Sequence, residues 1–325
     1  MRKLTKQEIV QAFTMPREEF DREFVPEAQR LLREHKKGVA LTAMLGYSNI
    51  CKNHCLYCGM RAPNTEIKRY RLEADTILQM AEMAYRSGLR RLFLISGEDP
   101  KYPFEDLLRV IEAAKALGFK RLSMAAGEFS REQYEQLKAA GLDEYVMKFE
   151  MSHKDTFERL NPSTNFEKRN QAIQWIKEAG LDLGSGNIVD YPGQTLDELA
   201  DDILLMKELN ISWAPNIPYM PAKGTPLAAE GGPGRIDYMQ REIALVRILL
   251  PDADITAQQP GPDLRNGLSD RKGNLAAIAC GANVLFVDLL PDALAQDFRV
   301  VDNRMIQGME AAKERIQEAG LPVIA

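Results

Sequence analysis

The sequence predicts an α/β protein folded as a (β/α)8 barrel (TIM barrel) with an N-terminal helical extension, and three observations lead there. A chain of 325 residues with 45% hydrophobic content can bury one large core. From Val39 onward, short β-rich runs alternate with amphipathic helical stretches, and the helices stop at Gly or Asn just before the next run. The runs number eight, the count that closes a barrel of parallel strands. Periodicity alone leaves one alternative standing, an open doubly wound sheet.

Residues 1–37 interrupt their apolar positions with charge at helical spacing, so they are expected to form an added helical layer. The barrel domain is expected over 38–325, including a C-terminal helix. Its first strand lies in VALTAMLGYS. The next four follow Gly88 (GLRRLFLIS), Gly118 (GFKRLSMAA), Gly141 (GLDEYVMKFE) and Gly180 (GLDLGSGNIV). NISWAPNIPYM follows Asn210, and DADITAQQ and ANVLFVD complete the set. Helices are placed near 74–88, 104–117, 130–140, 166–179, 195–209, 234–250 and 266–280, with a last one near 303–319. In such a barrel the chemistry sits on the loops that follow the strands.

Forty-two basic against forty-seven acidic residues give a net charge of −5 without any basic block, which argues against nucleic acid as a partner. The opening MRKLTKQEIVQAFTMP lacks the continuous apolar region of a signal peptide, and no run of about eighteen apolar residues occurs to span a membrane. A cytoplasmic location is expected. Four cysteines are too few for a disulfide framework in a chain this long, and a reducing compartment favours free thiols or metal ligands.

Three of the four cysteines, Cys51, Cys55 and Cys58, form C-x3-C-x2-C in the loop after the first strand. Three thiolates there can hold three irons of a 4Fe-4S cluster and leave the fourth open to a cofactor. A structural zinc site takes four ligands, and the remaining cysteine, Cys280, is far along the chain. A dithiol redox pair would use Cys55 and Cys58 and leave Cys51 idle.

CKNHCLYC, with Tyr57 before its last cysteine, resembles the cluster-binding motif of the radical S-adenosylmethionine (SAM) enzymes. The resemblance continues through RYRL, SGEDP, NPSTNFEKR, YPGQTLDELADD, GTPLA, RILLPDADI and CGANV. These stretches are similar to the biotin-synthase-like branch, particularly to the maturases of FeFe hydrogenases and less so to methylornithine synthase. The resemblance implies a complete barrel of the radical SAM type, a 4Fe-4S cluster on Cys51, Cys55 and Cys58, and SAM on the open iron. It further implies that Ser96, Gly97 and Glu98 meet the SAM ammonium, that Glu150 meets the ribose or amino-acid portion, and that Arg169 pairs with the SAM carboxylate. Gly184 and Ser185, with Gly186, would form part of the adenosyl pocket. An external electron donor such as flavodoxin or ferredoxin would drive cleavage of SAM to methionine and a 5'-deoxyadenosyl radical. The radical would act on a small molecule inside the barrel.

Read as residues, these positions have plainer alternatives. Asp99 before Pro100 suits a helix N-cap, although that leaves Glu98 unexplained. Arg169 on spacing alone could be an exposed helical arginine, whereas Glu150 ends an apolar strand where an acid is costly to bury unpaired. With three histidines, His35, His54 and His153, the chain offers little for a nucleophilic triad.

Substrate contacts are expected from Lys148, Asn216, Tyr219, Gln258, Gln259, Asp263, Arg265 and Asp288, a polar set suited to a small zwitterion or carboxylate. The methylornithine synthase pattern places an arginine where this chain has Pro215, and Ser and Asp where it has Gln258 and Pro260, which disfavours a mutase of that type. The maturase pattern has an arginine where Lys148 and Phe149 stand, and some maturases carry further cysteines absent here after Cys280. Sulfur insertion as in biotin or lipoyl synthases needs a second cluster, for which Cys280 alone is poor material. A cluster scaffold or electron carrier is the non-enzymatic alternative.

Overall fold

Val39–Ser48 is buried at all ten positions, as a parallel strand covered on both faces must be. In the computed structural model, which describes residues 3–304 and 307–324, this strand is β1. It is followed by β2 (Arg91–Ser96), β3 (Arg121–Ala125), β4 (Glu144–Val146), β5 (Asp182–Gly184), β6 (Trp213–Ala214), β7 (Asp254–Ile255) and β8 (Val284–Asp288). Neighbours pair in parallel in that order, and β8 returns to pair with β1. At the seam between β7 and β8, Ala257 N donates to Val284 O (2.8 Å) and Asn283 N to Ile255 O (2.9 Å), with a bridge between Thr256 and Val284. The eight-strand expectation therefore holds, and the sheet curls into a barrel.

The helices lie outside, and several end where the sequence supplies a residue tolerant of positive φ: Gly118 (φ 101°) and Asn210 (φ 50°) are examples. Six of them, Ala74–Arg86, Phe104–Leu117, Arg131–Ala139, Phe166–Glu178, Leu196–Leu209 and Ile236–Leu249, fall close to their expected positions. Several regions differ, the short helix Asp292–Ala295 among them. The helix expected over 266–280 is a 3-10 turn, Leu264–Ser269, followed by Arg271–Ala279, because Asp270 accepts from Gly273 N (2.8 Å) and starts a new helix. The last helix begins only at Met309, and Lys154–Leu160 adds one that periodicity did not indicate. Val323–Ile324 pairs with the start of β1.

GLDLGSGNIV and NISWAPNIPYM were each expected to be one strand, but both break. Ile188–Val189 and Ile217–Pro218 instead form a separate two-stranded ribbon beyond β5 and β6. Pro215 has no N–H to extend the β6 ladder. At Gly186 the chain passes so close to Asn216 that a Cβ would sit 1.8 Å from its Oδ1.

Lys6–Thr14, Arg17–Glu23 and Val25–Leu31 bear out the helical reading of the N-terminal segment. They bury Ile9, Phe13, Phe20 and Phe24 in the same apolar cluster as the barrel helices. Arg241 ties the layer down by donating from Nη1 to Ala12 O (2.6 Å) and Met15 O (3.0 Å). Cys280 is buried in this region, with Arg17 Nη2 3.9 Å from its sulfur, as expected of a small core residue. Among the described residues no helix is long and apolar enough to cross a membrane.

Beneath the strand break, Asp202 and Glu242 are buried and share one amide. Asn187 Nδ2 donates to Asp202 Oδ2 (3.2 Å) and Glu242 Oε2 (3.1 Å), and Asn216 Nδ2 donates to Glu242 Oε1 (2.6 Å). Burial pushes Glu242 up to about 8, with the Asp202 charge adding to it, and burial pushes Asp202 up to about 7. Their folded pKa values exceed the unfolded ones near 4, so the native state holds the protons more tightly. The resulting stability is complete at acid pH and is lost as pH rises through about 7 and 8. Urea midpoints should therefore fall between pH 6 and pH 9, and fall less in Glu242→Gln. Equal slopes in the two proteins would refute the assignment.

Candidate active site

The strand ends surround a cavity of about 340 Å³. Its interior is aromatic and apolar. Phe93, Trp213 and Phe286 pack against one another with centroids 4.9 to 6.1 Å apart, and Met44 and Val146 complete that wall. Polar groups gather at the mouth: Cys51, Cys58, Asn53, Ser96, Gly97, Glu98, Lys148, Glu150 and Arg169.

The cysteine loop is held from several sides. Arg69 donates from Nη1 to Asn49 O (2.6 Å) and Met60 O (2.8 Å), and from Nη2 to Arg61 O (2.6 Å) and Asn64 O (3.1 Å). One planar guanidinium thus ties four carbonyls that flank the cysteines. Leu56 N donates to Leu160 O (2.9 Å), Gly59 N to Val300 O (3.0 Å), and Lys52 N to Glu98 O (3.0 Å). Gly97 must be glycine because a Cβ there would meet Ile50 O at 2.3 Å and Cys51 Cβ at 2.8 Å.

The three thiols are free and mutually close. Burial pushes Cys55 up to about 12, the Cys51 charge adding to it, and burial raises Cys51 and Cys58 as well. Thiolates in such a setting require a metal cation to offset lost hydration. Among the described residues no three His, Cys, Asp or Glu converge on a single ion position. A 4Fe-4S cluster needs no such convergence, since each thiolate binds its own iron, so the donor set fits the cluster.

Around the cysteines the charged groups come in pairs. Glu98 receives Asn53 Nδ2 (2.8 Å) and Lys52 Nζ (2.7 Å). A Cβ on Gly127 would come within 2.2 Å of the Glu98 side chain, so this glycine leaves the carboxylate its space. Arg169 donates from Nε to Glu128 Oε1 (2.9 Å) and from Nη1 to Lys148 O (2.5 Å), and its side chain is only 12% exposed, which removes the surface-arginine alternative. Glu150 adopts φ 64°, a left-handed conformation uncommon outside glycine. Its Oε2 lies 3.0 Å from Lys148 Nζ but accepts no hydrogen bond. Held by this ion pair alone, the oxygen keeps lone pairs that suit a ligand hydroxyl or ammonium. Tyr57 donates to Asn161 Oδ1 (2.6 Å), fixing its ring beside the motif.

Other expected positions lie elsewhere. Gly184 and Ser185 are buried behind the cavity. Ser185 Oγ donates to Met147 O (2.7 Å) and accepts from Phe149 N (3.2 Å), splinting the chain beyond β4 to that beyond β5. Asp263 and Arg265 pair with each other at 2.8 Å on the surface, where the Arg265 side chain is 88% exposed. Asn216 is occupied by Glu242 outside the lining. Gln259 is also outside it, bonded to Asn216 O (2.8 Å) and Thr256 O (3.0 Å). Gln258 lines the cavity with its amide bonded to Leu268 O and Gln307. Tyr219 lines it too, with its hydroxyl unpaired. Asp99 caps no helix, since the next one begins at Phe104. It instead grips Arg71 through two bonds of 2.6 and 2.7 Å and accepts from Ser48 Oγ (2.9 Å). His153 bonds Asp201 (2.9 Å), and His35 and His54 are exposed, so no histidine enters the cavity.

Arg69, Asn53, Trp213 and Arg304 belong to the site, yet sequence reasoning gave none of them a role. Arg69 lay within the quoted RYRL stretch and Asn53 within CKNHCLYC.

The radical SAM superfamily profile matches residues 45–206. The [FeFe] hydrogenase maturase subunit HydE of Thermotoga maritima is 33% identical over 82% of this chain and 75% of its own length. A biotin synthase of Akkermansia muciniphila is 30% identical over 70% of this chain and 72% of its own. Among solved structures, methylornithine synthase (PylB) superposes with a TM-score of 0.84 over 100% of this chain and 95% of that one, at 19% identity. HydG of Carboxydothermus hydrogenoformans gives 0.78 over 98% and 76%, at 22% identity. Those two likenesses show the fold. With a relative at 33% identity and a superfamily profile spanning the cysteine motif, the chain belongs to the radical SAM superfamily, enzymes that use a 4Fe-4S cluster and SAM.

Proposed function

We propose that Cys51, Cys55 and Cys58 hold the cluster, that Glu98, Glu150 and Arg169 hold SAM beside it, and that a small substrate reacts deeper in the cavity in HydE-like chemistry. The observation that carries this reading is the convergence of the cysteine loop, two carboxylates and a buried arginine on one mouth of one cavity. When bound, the cluster and SAM supply one-electron cleavage of the sulfonium to methionine and a 5'-deoxyadenosyl radical.

The chain's own residues then have defined tasks. Glu98, with an oxygen on each of Lys52 and Asn53, can exchange the exposed Lys52 for a ligand ammonium, since that lysine is 52% exposed and the carboxylate 11%. Glu150, ion-paired with Lys148, offers the remaining lone pairs of Oε2. Arg169, fixed by Glu128 and Lys148 O, presents its remaining donors to a carboxylate. Phe93, Trp213 and Phe286 exclude water from the region where a carbon radical must survive. An external one-electron donor of flavodoxin or ferredoxin type is the proposed reductant.

Electron paramagnetic resonance (EPR) on anaerobically loaded, reduced protein tests the arrangement. Adding SAM should change the cluster spectrum, and Arg169→Met should raise the SAM concentration needed by about tenfold or more. A spectrum indifferent to SAM would rule the arrangement out.

A further inference from the structure

On its β8 side the cavity is closed by Phe286, Phe298, Val300, Val301 and Arg304, of which only Arg304 carries charge. Its side chain is 7% exposed. Nη2 donates to Asp288 Oδ2 (2.6 Å), and the guanidinium carbon lies 5.0 Å from the Phe298 ring centroid. Nε and Nη1 have no hydrogen-bond partner among the described residues. The other oxygen of Asp288 accepts from Leu290 N (3.0 Å) and makes no hydrogen bond to Nε or Nη1.

Buried donors on a cation are costly to leave idle. The other cations lining the cavity are engaged: Lys148 lies beside Glu150, and Arg169 is bonded to Glu128 and Lys148 O. Arg315 also has two unpaired nitrogens, but it lies outside the cavity. Arg304 is thus a buried cavity cation whose donors await an acceptor. Glu98 and Glu150, the candidates for SAM, come from the loops after β2 and β4. Arg304 comes from the segment behind β8, so the two sets can serve different ligands in one space.

We propose that Arg304 binds an oxyanion of the substrate, a carboxylate carried on a short apolar body. The proposal rests on the reading that substrate reacts inside this cavity. The walls beside Arg304, Phe286, Phe298 and Val301, suit the apolar body. Anchoring one charged end fixes which carbon faces the radical, the geometric control that such chemistry requires. Asp288 holds the guanidinium in place and leaves its other edges to the ligand.

The test uses cluster-loaded protein with SAM bound, and reads the affinity of propionate and of its neutral isostere propionamide by saturation-transfer NMR. Propionate should bind at least about tenfold more tightly than propionamide, and Arg304→Met should abolish that preference while retaining its iron. Arg304→Lys, which keeps the charge, should retain part of it. Equal affinity of the two probes for the native protein overturns the proposal even if the variants fail to fold, as does a preference that survives in Arg304→Met. Either result would leave SAM cleavage by the native protein intact, whereas failure of the broader reading would appear as absent iron or uncleaved SAM.

Discussion

Replacing any one of Cys51, Cys55 or Cys58 by alanine is expected to abolish iron retention and to lower SAM cleavage at least about a thousandfold, the behaviour of groups that act as a unit. The three thiols are buried enough that each resists ionisation, with Cys55 pushed up to about 12. The stabilisation that makes them thiolates must come from metal, and each supplies one iron with its only protein ligand. Two thiolates cannot keep three irons. Cys280→Ala is the control. That cysteine sits in the outer apolar layer near Arg17, so iron content should match the native protein. Iron analysis of the four variants checks this. Retention of full iron by any single motif variant would contradict it.

Arg69→Met is expected to produce the second largest effect. Four carbonyls at 2.6 to 3.1 Å lose their shared donor, and methionine offers no replacement. Burial lowers the Arg69 pKa while the Cys51 and Cys58 charges oppose that shift, which places the guanidinium near the thiolates as well as near the carbonyls. The site is partly solvated, so the lost hydrogen bonds should cost about 2–4 kcal/mol rather than the full value of a dry network. Iron should also leak from the loosened loop. Arg69→Lys keeps the charge but cannot span four acceptors lying in one fork, and should fall between the two. Denaturation midpoints and iron content after gel filtration check both variants. A methionine variant with native stability and native iron would show that the loop holds its shape unaided.

What could be read from the sequence was what the chain keeps local. C-x3-C-x2-C lies within eight residues, and its chemistry depends on spacing. Gly118 and Asn210 stop helices through their own backbone preferences, so the alternation of strands and helices was visible. Glu98 and Arg169 stood out through their resemblance to motif positions, and the fold brings both to the cavity. Ser185 was not, because a hydroxyl looks the same in a sequence whether it meets a ligand or splints two strands. Asp263 and Arg265 lie eight and ten residues past Ile255, the end of β7, and there the chain has turned outward. Arg304 fell where a helix was expected to begin, and its place in the cavity depends on how the segment behind β8 folds back. Pro215 could have warned that the sixth strand would break. Its consequence, a separate ribbon at the mouth, is a tertiary event.

The most direct test of the central claim is the yield of 5'-deoxyadenosine from anaerobically reconstituted protein given SAM and dithionite. Equal amounts of methionine and 5'-deoxyadenosine are expected, and none from the Cys55→Ala protein. Fully iron-loaded protein that leaves SAM intact would contradict the account.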